Sequence, residues 1–324
     1  MVALTAFSIA ALIAVLLPLP VQGGFQLNNR PAVGILTKPV TSSFLSPYGT
    51  SEFSADYVKW VESAGAEVIP INYNATKAEL DSLLTSVNAV LFTGGGLDLT
   101  PGHPYFDTAQ YIYSAAKRMN DEGDFFPLWG TCMGFQLLSI LAAGNASVLE
   151  GDVFDSENLP LALEDLDIHG SRMFEGVPER VLATLTRTNS TMNLHHDGVA
   201  PHSFVSVSGL RDTFRLLSIN HDREGRVFAS TMEGWKYPFF GTQWHPERNA
   251  FEWDEGENLD KHERAIEAMQ YMANRLVHFA RFSHHAFPSF EEREKRAIYH
   301  WSPVYTGNDP TQTYKDRQTY VFDL

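Results

Sequence analysis

The chain has 324 residues, 44% of them hydrophobic, with 39 acidic against 24 basic side chains and a formal net charge of −15. That length supports one large α/β domain or two small ones, so core size sets no limit. The negative balance excludes a generic basic nucleic-acid surface. It would also repel an anionic substrate at long range, but protonating all 12 histidines brings the charge to −3, so an acidic compartment relieves most of that repulsion.

In chain order, residues 1–23 carry no charged side chain, and their apolar run ends at Leu17 before Pro18 and Pro20. A membrane span needs roughly 20 consecutive apolar residues. This run is shorter and broken by proline, so residues 1–23 read as a signal peptide removed near Gly23 or Gly24, leaving no membrane segment. Buried-strand patterns then alternate with helical ones: a strand over residues 32–36, a helix over 54–64 stopped by Gly65, a strand over 67–72, and a helix over 77–87 with Leu80, Leu83 and Leu84 at helical spacing. A strand over 89–92 runs into Gly94-Gly95-Gly96, a helix follows over 106–120, and a strand over 126–129 leads through a tight turn to an apolar helix over 135–143. This is the sequence form of an α/β fold, a parallel sheet with helices on both faces.

The second half reads as shorter strands over 181–185, 204–207, 214–219, 227–231 and 239–244, then a long helix from His262 to about Phe282 with Ala265, Met269, Met272, Leu276 and Phe279 on one face. No Pro/Ser linker or internal repeat divides residues 24–287, which we read as one domain. Residues 288–324 form a tail with Tyr299, Trp301, Tyr305, Tyr314, Tyr320 and Phe322, too aromatic for a disordered segment, and expected to pack on the domain surface. The Asn-X-Ser/Thr sites at Asn74, Asn145 and Asn189 agree with a secretory route.

The single cysteine is informative in that context, because a secreted chain normally pairs its cysteines. Cys132 lies in Gly130-Thr-Cys-Met-Gly134 between a predicted strand and a predicted helix, the setting of a nucleophile elbow. The start of the helix offers free amides and a positive dipole end, which favour a thiolate. A thiol also needs a base. Gln243-Trp-His-Pro-Glu247 supplies His245, and Glu247 two residues on faces the same side in extended chain and can orient it. The amides of the Gly94-Gly95-Gly96 turn, Gly95 among them, and of Met133 are the candidate oxyanion donors.

Four segments, residues 126–136, 169–174, 230–238 and 241–247, give the chain its resemblance to the folate γ-glutamyl hydrolases, secreted and lysosomal members of the class I glutamine amidotransferase superfamily. The resemblance extends from the first strand to at least the long helix. It implies a flavodoxin-like, doubly wound and mostly parallel sheet, with Cys132 as nucleophile, His245 as general base and acid, and Glu247 as orienting carboxylate. It also implies a folyl- or antifolyl-poly-γ-glutamate substrate, no metal or cofactor, and a place near the substrate for His195. Thr93 stands where that family often has proline before the glycines. Arg172 and Lys236, in the segments specific to the hydrolases, are candidates to bind substrate carboxylates.

The expected reaction is attack of the Cys132 thiolate on a γ-carbonyl, a thioester, and its hydrolysis. A free thiol of pKa ~8.5 would be only about 0.03% ionised at pH ~5, so an acidic compartment demands a thiolate–imidazolium pair. Two other functions use the same residues: a glutaminase that passes ammonia to a synthase, and an inactive binding protein on the same scaffold. Exo or endo cleavage, and the number of subunits, with a homodimer among the options, stay open from sequence.

Overall fold

Side chains of a strand buried on both faces must alternate between two cores, and the strands of this chain do so. A computed structural model describes residues 26–310 and 316–324; the expected signal peptide and Tyr314 lie outside the described residues. In the first strand, β1 (Ala32–Leu36), Ala32 and Leu36 face one core while Val33 and Ile35 face the other. The next strands follow the same rule: β2 (Glu67–Ile71) sends Ile69 and Ile71 to the first core and Val68 to the second, and β3 (Ala89–Phe92) divides Val90 and Phe92 from Ala89 and Leu91. With β4 (Leu128–Thr131), β5 (Phe214–His221), β6 (Val227–Gly234) and β7 (Phe239–Thr242) they form a seven-stranded sheet of order β5-β6-β7-β4-β3-β1-β2. The pairings from β2 to β7 are parallel, and β6 and β5 extend the sheet antiparallel. The fold is therefore α/β, a mostly parallel sheet covered by helices on both faces.

Helices α2 (Lys77–Leu84), α3 (Pro104–Asp121) and α4 (Met133–Ala143) supply the first core with Leu80, Ile112 and Phe135. On the other face, α1 (Ala55–Ser63) and the long helix α6 (Glu263–Ala280) bring Trp60, Met269 and Leu276, and Phe279 stacks on Phe240 of β7 at 4.3 Å between ring centroids. The face expected for the long helix is the one it buries. Among the described residues no helix is long and apolar enough to cross a membrane.

Two expected strands are helices. Residues 181–185 lie in α5 (Glu179–Arg187), which buries Val181, Thr184 and Leu185 at i, i+3 and i+4 against α6, and residues 204–207 fall in or just after the short helix Ser203–Ser206. A short apolar run has no period of its own long enough to decide between strand and helix, and the docking partner decides it. The sequence reading also passed over an antiparallel pair, Ser156–Leu161 with Thr191–His195.

The tail does more than lie on the surface. Its Gln318–Phe322 segment is an inner strand of a four-stranded antiparallel sheet, between Val304–Tyr305 and Ser51–Ser54, with Lys38–Pro39 at the far edge. Phe322 is fully buried, 4.8 Å from the Phe53 ring and 5.3 Å from Trp301 between centroids. Truncating a buried phenylalanine to alanine typically costs about 3 to 5 kcal/mol. Phe322→Ala is accordingly expected to lower the urea midpoint of unfolding by a corresponding amount, and an unchanged midpoint would show that the tail is dispensable to the core.

Candidate active site

Three loops leave the carboxyl ends of neighbouring parallel strands, where open α/β sheets gather their ligands. Phe92 of β3 pairs with Gly130 of β4, and Thr131 of β4 pairs with Thr242 of β7. The chain past β3 carries Gly94 to Gly96, past β4 it carries Cys132, and past β7 it carries His245 and Glu247. The amide of Cys132 donates to the Thr242 carbonyl at 2.8 Å, so the strand pairing itself holds the sulfur beside the His245 loop. The His245 amide is fixed in turn to the Met192 carbonyl at 2.9 Å.

Cys132 is 3% exposed and caps the start of α4 with φ 53° and ψ −108°, a backbone region that side chains seldom occupy. The flanking glycines serve this corner by their lack of bulk, and the unusual dihedral falls on the cysteine. A Cβ on Gly134 would overlap the Phe92 carbonyl oxygen, and one on Gly130 would overlap the Gly134 carbonyl. The sulfur lies 3.9 Å from the Leu194 carbonyl.

His245 Nδ1 and Glu247 Oε1 are 2.5 Å apart, with both side chains buried. The other ring nitrogen, Nε2, is buried and committed to no settled hydrogen bond. Burial disfavours the imidazolium, but the carboxylate of Glu247 and the Cys132 sulfur outweigh it and push the His245 pKa up to about 10. The ring therefore holds a proton at neutral and acid pH, next to the thiol.

Gly94 and Gly95 complete the wall. The Gly94 amide donates to the Tyr57 hydroxyl at 2.7 Å, and a Cβ at Gly94 would stand 2.7 Å from His245 Cε1, so only glycine fits there. With that amide taken, the amide of Gly95 and that of Met133, which as the first residue of α4 has no partner within its helix, are the pair suited to a developing oxyanion. Burial, then the charges of Glu247 and Cys132, hold the Tyr57 pKa well above its ordinary value, so its hydroxyl stays neutral.

Sequence reasoning missed Tyr57, Lys38 and Arg248, all of which line the cavity of about 230 Å³ over Cys132. Lys38 carried a usable signal, since it follows β1 at the same sheet edge. Arg248 follows Glu247 directly and is buried; its Nε and Nη2 donate to Glu257 at 2.8 and 2.5 Å and its Nη1 to Asp316 at 2.5 Å. Asp56, Glu252 and Asp316 bring carboxylate oxygens within 4.8 Å of one another, close enough to hold a cation. Arg248 already serves the cluster, and Glu252 accepts from the amides of Trp253, Asp254 and Arg317.

Other expected residues stand apart from the cavity. Arg172 donates to the carbonyls of Gly234 and Tyr237 and lies over the Phe240 ring, so it clamps the turn after β6 rather than a substrate carboxylate. Lys236 is exposed and paired with Asp121. His195 is near but turned away: strand alternation directs its ring to Phe228, 4.7 Å off, with Nδ1 2.9 Å from the Asp197 carbonyl oxygen and Nε2 3.3 Å from Asn193 Oδ1. Burial lowers its pKa to about 3, so it is neutral at working pH.

Residues 31–247 match the family described as peptidase C26. The chain belongs to the peptidase C26 family. It is a hydrolase of the cysteine-peptidase type. It is 37% identical to the human γ-glutamyl hydrolase over 91% of this chain and 90% of that one, and 35% identical to γ-glutamyl hydrolase B of Dictyostelium discoideum over 92% and 84%. The similarity to Arabidopsis thaliana γ-glutamyl hydrolase 1 is 34% over 87% and 80%. Among solved structures, the protein SMU.1228c overlaps with a TM-score of 0.41 at 16% identity, over 77% of this chain and 99% of that one.

Because the folded pKa of His245 is raised, the pair's stabilisation is fully present below the ordinary histidine value near pH ~6.5 and is lost as pH climbs through about 10. Glu247→Gln removes the main charge that sustains this. Imidazole NMR titration of that variant is expected to show His245 losing its proton at clearly lower pH than in the parent, and an unshifted titration would remove Glu247 as the cause.

Proposed function

We propose that this chain cleaves γ-glutamyl amide bonds of folyl- and antifolyl-poly-γ-glutamates, with Cys132 as nucleophile, His245 as base and acid, and Glu247 as the carboxylate that orients the imidazole. The observation that carries this reading is the line of groups at the sheet edge: a thiol on a strained corner, an imidazole with Nε2 uncommitted beside it, and a carboxylate 2.5 Å from Nδ1. The substrate class comes from the γ-glutamyl hydrolases that resemble the chain along most of their length.

Cys132 sulfur attacks the γ-carbonyl carbon, and the carbonyl oxygen gains its charge between the amides of Gly95 and Met133. The protonated His245 gives its Nε2 proton to the departing amine, which leaves a thioester on Cys132. His245, now neutral, takes a proton from water as that water attacks the thioester, and the expelled Cys132 thiolate beside the reprotonated His245 restores the starting state. Glu247 keeps its charge throughout and fixes which nitrogen faces the sulfur. Tyr57 spaces the Gly94 turn from Glu247 without ionising.

On a defined pteroyl-poly-γ-glutamate, Cys132→Ala is expected to reduce kcat by a factor on the order of 10⁴ or more, with folding unchanged by circular dichroism. In the parent protein, iodoacetamide should block Cys132 at pH ~5, as the ion pair requires; reaction confined to alkaline pH would refute the pair.

The same reading includes entry to the secretory pathway, removal of residues 1–23, and delivery outside the cell or to the lysosome. Support comes from the apolar leader, the absence of a second cysteine, and the exposure of Asn74, Asn145 and Asn189. Expressed in animal cells, the chain should reach the medium or lysosomes with a mass reduced by N-glycosidase; a cytosolic, glycosidase-insensitive product would overturn this.

A further inference from the structure

A poly-γ-glutamate substrate brings an α-carboxylate with every residue, yet the two cations singled out from sequence to receive it, Arg172 and Lys236, are engaged elsewhere. Besides the His245 imidazolium, which is paired with Glu247, the cavity is lined by two cations, Arg248 and Lys38. Arg248 has its guanidinium edges filled by Glu257 and Asp316. Lys38 differs: among the described residues no carboxylate pairs with its ammonium within 4 Å and no hydrogen bond holds it.

Its position is set by the oxyanion wall. A Cβ on Gly95 would come 2.8 Å from Lys38 Cδ, 3.2 Å from Lys38 Nζ and 3.1 Å from Met133 Cε. The ammonium thus stands against Gly95, one of the two residues assigned to the oxygen of the reacting carbonyl. The other cations of the lining are taken, Arg248 by Glu257 and Asp316 and His245 by Glu247. Lys38 is the place where an anionic substrate can dock beside the sulfur.

We infer that Lys38 binds the α-carboxylate of a glutamyl residue flanking the scissile bond, and so selects γ-linked over ordinary peptide substrates. In a γ-linked chain that carboxylate is free and stands a short methylene arm from the carbonyl under attack. In an α-linked chain it is consumed in the backbone. The role is one of specificity; bond breaking remains with Cys132 and His245. The inference rests on the γ-glutamyl hydrolase reading.

The test compares three substrates on the full chain: a γ-glutamyl-glutamate derivative, its analogue with γ-aminobutyryl in the acyl position, and its analogue with 4-aminobutyrate as leaving group. The parent enzyme is expected to prefer the complete substrate over one of the analogues by a factor on the order of 10 to 100 in kcat/KM, the range of a charge-assisted hydrogen bond. Lys38→Met should bring that ratio close to one, mainly through KM, and Lys38→Arg should restore much of it. The analogue that loses its disadvantage tells whether the acyl or the leaving residue is held. An equal loss on all three substrates would assign Lys38 to the oxyanion or to structure and overturn the inference. So would a preserved ratio, or a parent enzyme indifferent to both carboxylates. Failure of the parent enzyme to cleave any of the three would instead overturn the γ-glutamyl reading itself.

Discussion

The parallel pairing of β4 with β7 is the constraint on which the site depends. Thr131 stands beside Thr242, and the Cys132 amide continues the ladder by donating to the Thr242 carbonyl. Cys132 and His245 lie more than one hundred positions apart in the chain, and no local preference could bring them together. A slip of one residue would turn every side chain of β7 to the opposite face. Trp129, Phe240 and Trp244, all fully buried, oppose such a slip because each fills a place in the core.

Around that pairing the backbone is packed to its limit. The corner at Cys132 is held in an uncommon conformation because α4 lies so close to β3 and β4 that Gly130 and Gly134 touch neighbouring main chain directly. The strain is confined to one residue, and the cores on both sides of the sheet bear it. Gly94 meets the His245 ring and the Tyr57 hydroxyl in the same way. Cys132, His245 and the Gly94–Gly95 turn are consequently set by close packing at the strand ends.

Burial alone would drive charge out of this site, and it does so for His195 and Tyr57. His245 escapes because Glu247 and the sulfur flank it. Arg248 stands at hydrogen-bond distance from Glu257 and Asp316 and holds the Asp316 carboxyl below its ordinary value against burial, while burial still raises Glu257 and lifts Asp56 to about 8. The C-terminal segment enters this arrangement directly, since Asp316 precedes the strand that pairs with Ser51–Ser54. A tail that looked from its sequence like a surface covering therefore contributes to the charge balance beside Cys132 and His245.

The sequence by itself determined the α/β architecture, the presence of the first four parallel strands and the motifs that place Cys132, His245 and Glu247 at strand ends. These are local signals: period-two burial, helical spacing, and motifs whose glycines and carboxylate lie next to the residue they serve. Only the tertiary structure decided that residues 181–185 are helical, that His195 faces away from the sulfur, that Arg172 clamps a turn, and that Lys38, Tyr57 and Arg248 border the cavity. The physical reason is common to all of them. A side chain's role there depends on which neighbour from a distant segment reaches it first, and that is settled by packing and by pairing across the sheet rather than by the residues adjacent to it in the chain.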